Sequence, residues 1–245
     1  MTVLAVIPAR WQSTRFPGKP LAQIAGREMI ARVWDQVVQT PSVDQTVVAT
    51  DSENIAAFCE ANGMDVVMTR TDHATGSDRL AEVAEKISAD IYVNVQGDEP
   101  LIEPASIDAV STCLLAAVER GIGVSTGYIA AASDDQLDNP SVVHLVPALD
   151  GTVITFSRFP VPYPQGEAMQ RTVHVGLYAF TAAALAKYAA WEQGPVEKSE
   201  SVEILRFLEH GEKVACVPVV PGSIGVDTPE DVTLVEAVLA ERETL

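Results

Sequence analysis

The chain has 245 residues, of which 47% are hydrophobic and 20% are charged. This balance excludes a disordered chain, and the length suits one α/β domain or one domain with an insertion. No apolar run approaches the roughly 20 residues of a membrane span, and the N-terminus lacks the pattern of a secretory signal, so we expect a cytoplasmic protein. The formal net charge of −18 argues against nucleic acid or an anionic membrane as a general partner.

Positive charge is nevertheless concentrated near the N-terminus. Up to residue 32 there is one acid, Glu28, against five basic residues: Arg10, Arg15, Lys19, Arg27 and Arg32. In "IPARWQSTRFPGKPL" three prolines restrict the backbone while Gly18 permits a turn, but Pro20 after Lys19 departs from the pattern of a P-loop. The segment is either a preorganised loop for a small polyanion, in which Arg10, Arg15 and Lys19 bind phosphate oxygens, or a solvated basic loop.

Strands and helices alternate over the first hundred residues. Apolar strands are predicted at 3–8, 45–50, 65–69 and 90–96, with helices at 27–38, about 52–62 and 76–87. Single helices between valine-rich strands predict a parallel sheet covered by helices. Ligands of such sheets bind beyond the carboxyl ends of the strands. We therefore expect the loops at 8–20, 50–52 and 96–100 to converge on one site.

The pattern changes after residue 120. From about 121 to 180, short strand-like segments surround a proline-rich stretch at 159–166, which predicts an inserted β region that supplies an acceptor pocket or a dimer surface. Beyond it, helices are predicted at 181–191 and 199–210, a strand at 213–219, and a last helix that begins at Pro229 after a Thr228 cap.

Two acidic segments are candidates for a metal site. In "VNVQGDEP", Asp98 follows a buried strand and Gly97 permits a tight turn, so the carboxylate can bind Mg²⁺. In "GVDTPEDV", Asp227 can supply a second oxygen. Asp98 could instead be an exposed turn residue, and Asp227 could be an ordinary helix-start acid. Glu99 is expected to be an exposed turn residue.

The three cysteines, Cys59, Cys113 and Cys216, are odd in number and far apart in the sequence. Each stands in apolar surroundings. This arrangement predicts buried thiols rather than a disulfide framework or a metal site.

Eight segments occur in an order and at a spacing that resemble one enzyme family: "IPARWQSTRFPGKPL", "VVATDSENIA", "MTRTDHATGSDRLAEV", "VNVQGDEP", "FSRFPVPY", "VHVGLYAF", "VEILRFLEHGEKV" and "GVDTPEDV". The family is 3-deoxy-manno-octulosonate (Kdo) cytidylyltransferase, and the resemblance runs from about residue 2 to 238. It implies a Rossmann-like nucleotidyltransferase fold, Mg²⁺ as cofactor and a homodimer. The implied reaction is attack of the sugar acid's C2 hydroxyl on CTP with release of pyrophosphate, for lipopolysaccharide biosynthesis.

The resemblance also implies roles for individual residues. Arg10, Ser13, Arg15 and Lys19 match the triphosphate-binding loop, and Gln96 matches a nucleotide contact. Asp98 and Asp227 match the Mg²⁺ ligands and, with Lys19, the catalytic residues. The sugar-acid pocket is matched by Arg158, His174, Tyr178 and Glu203. The implied organisation is a single domain over 1–245 with a nucleotide-binding part at 1–120, a β-rich acceptor or dimer insertion at 121–180, and helices with the metal-site loop at 181–245.

Two positions depart from the family pattern. Ile204 stands where the family usually has a glutamine that hydrogen-bonds the sugar, so Ile204 is expected to face a sugar hydroxyl, and His144 stands where a lysine is usual. Losing a hydrogen-bond partner costs about 1 to 3 kcal/mol, so these changes leave open a modified sugar such as 8-amino-Kdo. Three more functions are compatible with the sequence: a sialic-acid cytidylyltransferase, a hexose-1-phosphate nucleotidyltransferase and a non-catalytic CTP-binding protein.

Overall fold

The strands predicted in the first hundred residues form a parallel sheet. The computed structural model describes residues 1–13, 15–73, 75–131, 139, 141–167 and 169–243. The chain divides into two compact units, of which the first is Met1–Asp108 with Gly222–Leu245 and the second is Ala109–Pro221. The single-domain organisation stays a prediction.

The elements alternate as the sequence indicates. In chain order they are β1 (Val3–Ala9), a 3₁₀ turn (Lys19–Leu21), β2 (Gln23–Ile24), β3 (Arg27–Glu28), α1 (Met29–Val37), β4 (Gln45–Thr50), α2 (Glu53–Ala61), β5 (Val66–Met68), α3 (Gly76–Lys86), β6 (Ile91–Asn94), α4 (Pro104–Ala117), a second 3₁₀ turn (Val118–Arg120), β7 (Val124–Ala130), β8 (His144–Pro147), β9 (Val153–Ser157), β10 (Thr172–Thr181), α5 (Ala182–Ala190), α6 (Pro195–Glu200), α7 (Leu205–Glu209), β11 (Ala215–Pro218) and α8 (Pro229–Glu243). Among the described residues, no helix has the length and apolar character needed to cross a membrane.

In the first unit the strand order is β6-β1-β4-β5, and every pair is parallel. Val6 of β1 faces Val47 on one side and Asn94 on the other, so β1 is central among these four strands. Helix α2 packs on β4, and α3 packs on β6 and β1. The β1 and β6 side chains are almost entirely buried, which explains their continuous apolar sequences. The predicted α/β fold class with a parallel sheet covered by helices is confirmed.

The predicted helix at 27–38 begins two residues late. Arg27 and Glu28 pair with Ile24 and Gln23 in a short antiparallel hairpin. Its turn has positive φ at both central residues, 45° at Ala25 and 74° at Gly26, a conformation that glycine adopts without strain. The hairpin therefore takes the residues that helical spacing assigns to the first turn of α1.

In the second unit, the β-rich segment predicted at 121–180 forms β7 to β10. Strand β7 lies between β11, to which it is parallel, and β10, to which it is antiparallel. Strand β8 pairs with β10 and with β9. A bulge between Val175 and Tyr178 shifts the register of β10, and such irregularities re-aim side chains.

The predicted helix at 199–210 is wrong, because two short helices replace it. Helix α6 ends at Glu200, and the cap residue Ser201 after it has a left-handed φ of 52° and ψ of 46°. Arg158 stabilises this end, since its Nε donates to the Glu200 carbonyl at 2.6 Å and its backbone N donates to the Glu200 carboxylate at 2.8 Å. A tertiary contact thus ends a helix that local periodicity would continue.

All three cysteines are free, as predicted. Cys59 and Cys216 are buried, whereas Cys113 is only half-buried. Burial raises the pKa of Cys59 to about 11 and that of Cys216 to about 12. Neither thiol forms much thiolate at neutral pH, which fits an unreactive role in packing.

Candidate active site

The basic loop after β1 is held by its own backbone. Gly18 has a φ of 71° and donates its N–H to the Trp11 carbonyl at 3.0 Å. The Ser13 hydroxyl accepts from the Phe16 N–H at 3.2 Å. Pro20 then fixes the start of the 3₁₀ turn. These contacts preorganise the loop, which favours the first of the two interpretations that its sequence leaves open.

The loop after β6 meets the loop after β1 at a point where only glycine fits. A Cβ atom at Gly97 would lie 2.6 Å from the Pro8 carbonyl oxygen, a distance too short for any side chain. Gln96, the residue before it, lies near the start of α3, where its Oε1 would be 3.7 Å from a Cβ at Gly76. Two of the three loops expected to converge therefore do so. In the third, Asp51 forms an ion pair with Arg79 at 3.0 Å.

The two predicted metal-binding aspartates converge on one cation, the Lys19 ammonium. Lys19 Nζ lies 2.6 Å from Asp98 Oδ2 and 3.2 Å from Asp227 Oδ1, and it donates to the Val226 carbonyl at 2.9 Å. The lysine side chain is 14% exposed, and the aspartates are 33% and 49% exposed. Lys19 and Asp98 are about 80 positions apart in the sequence, and Asp98 and Asp227 are about 130 apart. The three residues nevertheless form one charged cluster.

Arg15 extends this cluster. Its guanidinium lies 3.0 Å from Asp227 Oδ2, and its side chain is 64% exposed. Arg10, in the same loop, is also exposed. The two cations Arg15 and Lys19 balance the two aspartates, so the cluster carries no net formal charge. Arg15 is exposed to solvent, whereas Lys19 is largely enclosed.

Asp227 is not needed to cap the helix that follows it. That role belongs to Asp231, whose Oδ2 accepts from the backbone N–H groups of Asp227 and Thr228 at 2.9 and 2.8 Å. Burial would raise the pKa of Asp231, but these hydrogen bonds outweigh it, and the nearby Arg15 charge adds to them, so the pKa is lowered. The interpretation of Asp227 as a helix-start acid is therefore weakened, because its carboxylate binds Lys19 and Arg15 instead.

The sequence did not predict the burial of Glu99 or its hydrogen-bond partner. It is half-buried rather than an exposed turn residue, and the Ser223 hydroxyl donates to its Oε2 at 2.5 Å. Burial raises its pKa to about 6, aided by the Asp98 charge and opposed by the Ser223 hydrogen bond. The Val226 N–H also donates to the Asp98 carbonyl at 2.8 Å. These two hydrogen bonds join the loops that carry Asp98 and Asp227; no local sequence pattern encodes such a long-range contact.

Two predicted sugar-pocket residues lie side by side in the second unit. The rings of His174 and Tyr178 are 5.4 Å apart, and Phe156 contacts the imidazole from another side at 5.0 Å. Burial lowers the pKa of His174 to about 3, so the imidazole is neutral. The Thr126 hydroxyl lies 2.9 Å from His174 Nε2 and 2.9 Å from the Leu177 carbonyl. Because the carbonyl can only accept, the hydroxyl donates to it and accepts from Nε2–H, which leaves Nδ1 as the acceptor nitrogen of His174.

The other predicted sugar residues lie near the ends of the two short helices. Arg158 binds the end of α6, and Glu203 is half-buried in the turn before α7. The departures Ile204 and His144 are both 0% exposed. Their side chains are enclosed by protein, so our expectation that Ile204 faces a sugar hydroxyl is not supported by its burial.

The donor set at Lys19 fits Mg²⁺. Asp98 and Asp227 already surround one cation, together with the Val226 carbonyl oxygen. Mg²⁺ prefers oxygen ligands and is usually held by one or two carboxylates plus phosphates and water. Within the described residues, no cluster of three or more His, Cys, Asp or Glu could hold a metal. Two protein carboxylates are thus what the site offers.

Comparison with known proteins identifies the family. A family model described as cytidylyltransferase matches residues 4–214. The 3-deoxy-manno-octulosonate cytidylyltransferase of Syntrophotalea carbinolica is 42% identical, over 97% of this chain and 98% of that protein. The Myxococcus xanthus protein of the same name is 43% identical, over 98% and 97%. This chain belongs to the 3-deoxy-manno-octulosonate cytidylyltransferase family.

A solved structure of CMP:2-keto-3-deoxy-manno-octonic acid synthetase complexed with CTP is similar throughout. Its TM-score is 0.93 at 37% sequence identity, and the match covers 99% of this chain and all of that one. The recognised family and its nucleotidyltransferase fold are confirmed. The roles that the resemblance implies for individual site residues, Arg10 and Glu203 among them, stay predictions.

Proposed function

We propose that this protein activates Kdo with CTP in a Mg²⁺-dependent reaction that yields the CMP-sugar and pyrophosphate. The observation that carries the proposal is the convergence of Asp98 and Asp227 on Lys19, in a loop that also holds Arg15. A transferase that joins two anions needs carboxylates for a metal and cations for phosphates at one place. This cluster supplies both, within a chain of the matching family.

The protein's own part in the reaction is positioning and charge neutralisation. Asp98 and Asp227 would hold the metal, which when bound would neutralise phosphate charge and lower the pKa of the sugar's C2 hydroxyl. Lys19 and Arg15 bind the β- and γ-phosphates, and they stabilise the negative charge that grows on pyrophosphate as it leaves. Gln96 binds the nucleotide beside Asp98.

On the sugar side, the neutral His174 can orient a hydroxyl group without adding charge. Its Nδ1 is an acceptor, because Nε2–H is bound to Thr126. Arg158 carries the positive charge suited to the sugar's carboxylate. Kdo is the proposed sugar rather than 8-amino-Kdo or a sialic acid, since relatives that match over nearly the full chain are named 3-deoxy-manno-octulosonate cytidylyltransferases.

We further propose a cytoplasmic homodimer that serves lipopolysaccharide biosynthesis. A dimer is supported by exposed apolar side chains in the second unit: Ile154 is 61% exposed, Phe159 79% and Tyr163 85%. Three large exposed apolar side chains within ten positions of the sequence suit an interaction surface. Light scattering on the purified chain tests the dimer, and a Phe159→Asp variant that stays dimeric would place the interface elsewhere.

The activity is tested by pyrophosphate release from the purified chain with CTP, Mg²⁺ and one sugar acid at a time. We expect release that requires Kdo, with slower turnover of 8-amino-Kdo and N-acetylneuraminate. Replacing CTP by UTP or ATP is the nucleotide control. Absence of Kdo-dependent pyrophosphate release from folded protein would overturn the proposal and favour a non-catalytic CTP-binding protein, which equilibrium binding of CTP would then reveal.

A further inference from the structure

The Lys19 ammonium already uses all of its hydrogen-bonding capacity inside the cluster. It has three N–H donors, and three oxygens accept from it, on Asp98, Val226 and Asp227, at distances from 2.6 to 3.2 Å. These are the same oxygens that suit a divalent cation. An ammonium and a metal ion cannot occupy one set of ligands together, because they need the same lone pairs and repel each other.

We propose that Lys19 blocks the metal site of the nucleotide-free protein and that the phosphates of CTP unblock it. The triphosphate offers Lys19 and Arg15 new acceptors at the moment when it brings the metal to the aspartates. Lys19 and Arg15 exchange their carboxylate partners for phosphates. The carboxylates in turn exchange these two cations for the metal. This inference rests on the proposed function, since it concerns the same Mg²⁺ and the same nucleotide.

The burial of Lys19 makes the exchange concerted. With only 14% of its side chain exposed, Lys19 would lose most of its solvation if it remained in place without acceptors, and the aspartates likewise repel each other without a cation between them. A metal–nucleotide complex supplies the replacement anion and cation together, so no charge is left unpaired. Metal alone or nucleotide alone cannot do this. Binding of metal and binding of nucleotide are therefore positively coupled.

Direct metal binding tests the inference without turnover. Mn²⁺ is the probe, because it shares the oxygen ligands of Mg²⁺ and its free concentration can be measured by electron paramagnetic resonance. In the absence of nucleotide, we expect Lys19→Met to bind Mn²⁺ about tenfold or more tightly than the wild type, since the blocking charge is gone. Lys19→Arg, which keeps the charge, should stay close to the wild type.

Arg27→Met is the matched control for general charge. Arg27 lies in the same unit, is exposed and, among the described residues, pairs with Asp35 at 2.6 Å rather than with either aspartate of the cluster. Its removal should change nucleotide-free Mn²⁺ affinity by less than about twofold, since exposed charges are screened by solvent. A rise as large as that of Lys19→Met would show a diffuse charge effect and overturn the blocking role.

Two further arms separate this inference from the proposed function. If nucleotide-free Lys19→Met binds Mn²⁺ no better than the wild type, while Asp98→Asn weakens Mn²⁺ binding in the presence of CTP, the metal site stands and the blocking role is wrong. If Asp98→Asn leaves Mn²⁺ binding unchanged with CTP, the metal assignment itself fails. If circular dichroism shows that Lys19→Met does not fold, Lys19→Gln replaces it in the measurement of nucleotide-free Mn²⁺ binding.

Discussion

The candidate nucleotide residues of the first unit and the candidate sugar residues of the second unit are held in different ways. In the first, Lys19 is bound by Asp98 and Asp227 in a half-exposed cluster of opposite charges. In the second, His174 is neutral and packed among the rings of Phe156 and Tyr178. The first region contains charged side chains that can exchange partners. The second region has a neutral surface whose shape and hydrogen-bonding pattern are fixed.

This difference matches what the two substrates require. A triphosphate is a dense polyanion, and Lys19 and Arg15 can exchange their carboxylate partners for its oxygens. A sugar acid is distinguished from its analogues by the positions of hydroxyl groups, and a fixed acceptor such as His174 Nδ1 discriminates between these positions better than a charge that changes partners. Substitutions in the first region should therefore change rates, and those in the second should change stability and sugar choice.

The largest effect is expected for Asp98→Asn, which removes one of the two carboxylates proposed to hold the metal. Metal stabilisation of transition-state charge contributes several kcal/mol, so kcat should fall by about a thousandfold or more. Asp35→Asn is the control, because Asp35, like Asp98, forms an ion pair with a basic residue of the first unit, here Arg27 at 2.6 Å. Its kcat should stay within about twofold of the wild type, as for other exposed ion pairs. Near-normal turnover of Asp98→Asn at saturating Mg²⁺ would refute the assignment.

Lys19→Ala should come next, with kcat lowered by about a hundredfold and the KM for CTP changed much less. The reason is that charge on the departing pyrophosphate grows in the transition state, where the ammonium is proposed to act. Lys86→Ala provides the control, since it removes an ammonium that binds Glu82 at 2.7 Å in the same unit. An effect confined to KM would instead assign Lys19 to ground-state binding of CTP.

Much of the first unit could be predicted because its signals are local. The valine-rich runs of β1 and β4 have the lengths that parallel strands need, and the prolines and Gly18 predict a stiff loop. The meeting of Asp98 with Lys19 follows from a rule about parallel sheets, which places the loops after neighbouring strands together. Glu99 escaped prediction because its partner, Ser223, lies 124 positions away.

The second unit is harder to predict for the same physical reason. Helical periodicity runs through 199–210, yet Arg158 binds the carbonyl of Glu200 and ends the helix there. The place of Ile204 in a motif predicts that it faces the sugar, although an aliphatic residue is equally suited to a core. Where a fold depends on contacts between distant strands and short helices, sequence periodicity alone does not determine its boundaries.

The Ile204→Gln variant tests whether Ile204 is a core residue or a sugar contact. Because Ile204 is 0% exposed, an amide there would be buried, and we expect the free energy of unfolding to fall by about 2 to 3 kcal/mol. Leu149→Gln is the control at a fully exposed position of the same unit, and it should cost less than about 0.5 kcal/mol. The preference for Kdo over 8-amino-Kdo should change little. A shift of about tenfold in the ratio of their kcat/KM values would restore Ile204 as a sugar contact.

The smallest expected effect concerns the pH dependence of stability that His174 confers. Burial lowers its pKa from 6.5 to about 3 in the folded protein, so between these values the unfolded chain binds a proton that the folded chain does not. Unfolding then takes up a proton, and acidification from pH 6.5 favours the unfolded state by at most about 1.4 kcal/mol per pH unit. Urea unfolding at pH 7 and pH 5 measures this slope.

His174→Gln should lose this contribution, so its stability should decline less between pH 7 and pH 5 than that of the wild type. The comparison of two proteins is needed because Glu99, whose pKa is raised to about 6, acts in the opposite direction above its usual 4.5, and its effect cancels in the difference. His210→Gln, at an exposed histidine of the same unit, controls for the loss of an imidazole. Equal slopes for the wild type and His174→Gln would mean that His174 accepts a proton in the folded state. The contrast between a charged first region and a neutral second one would then fail.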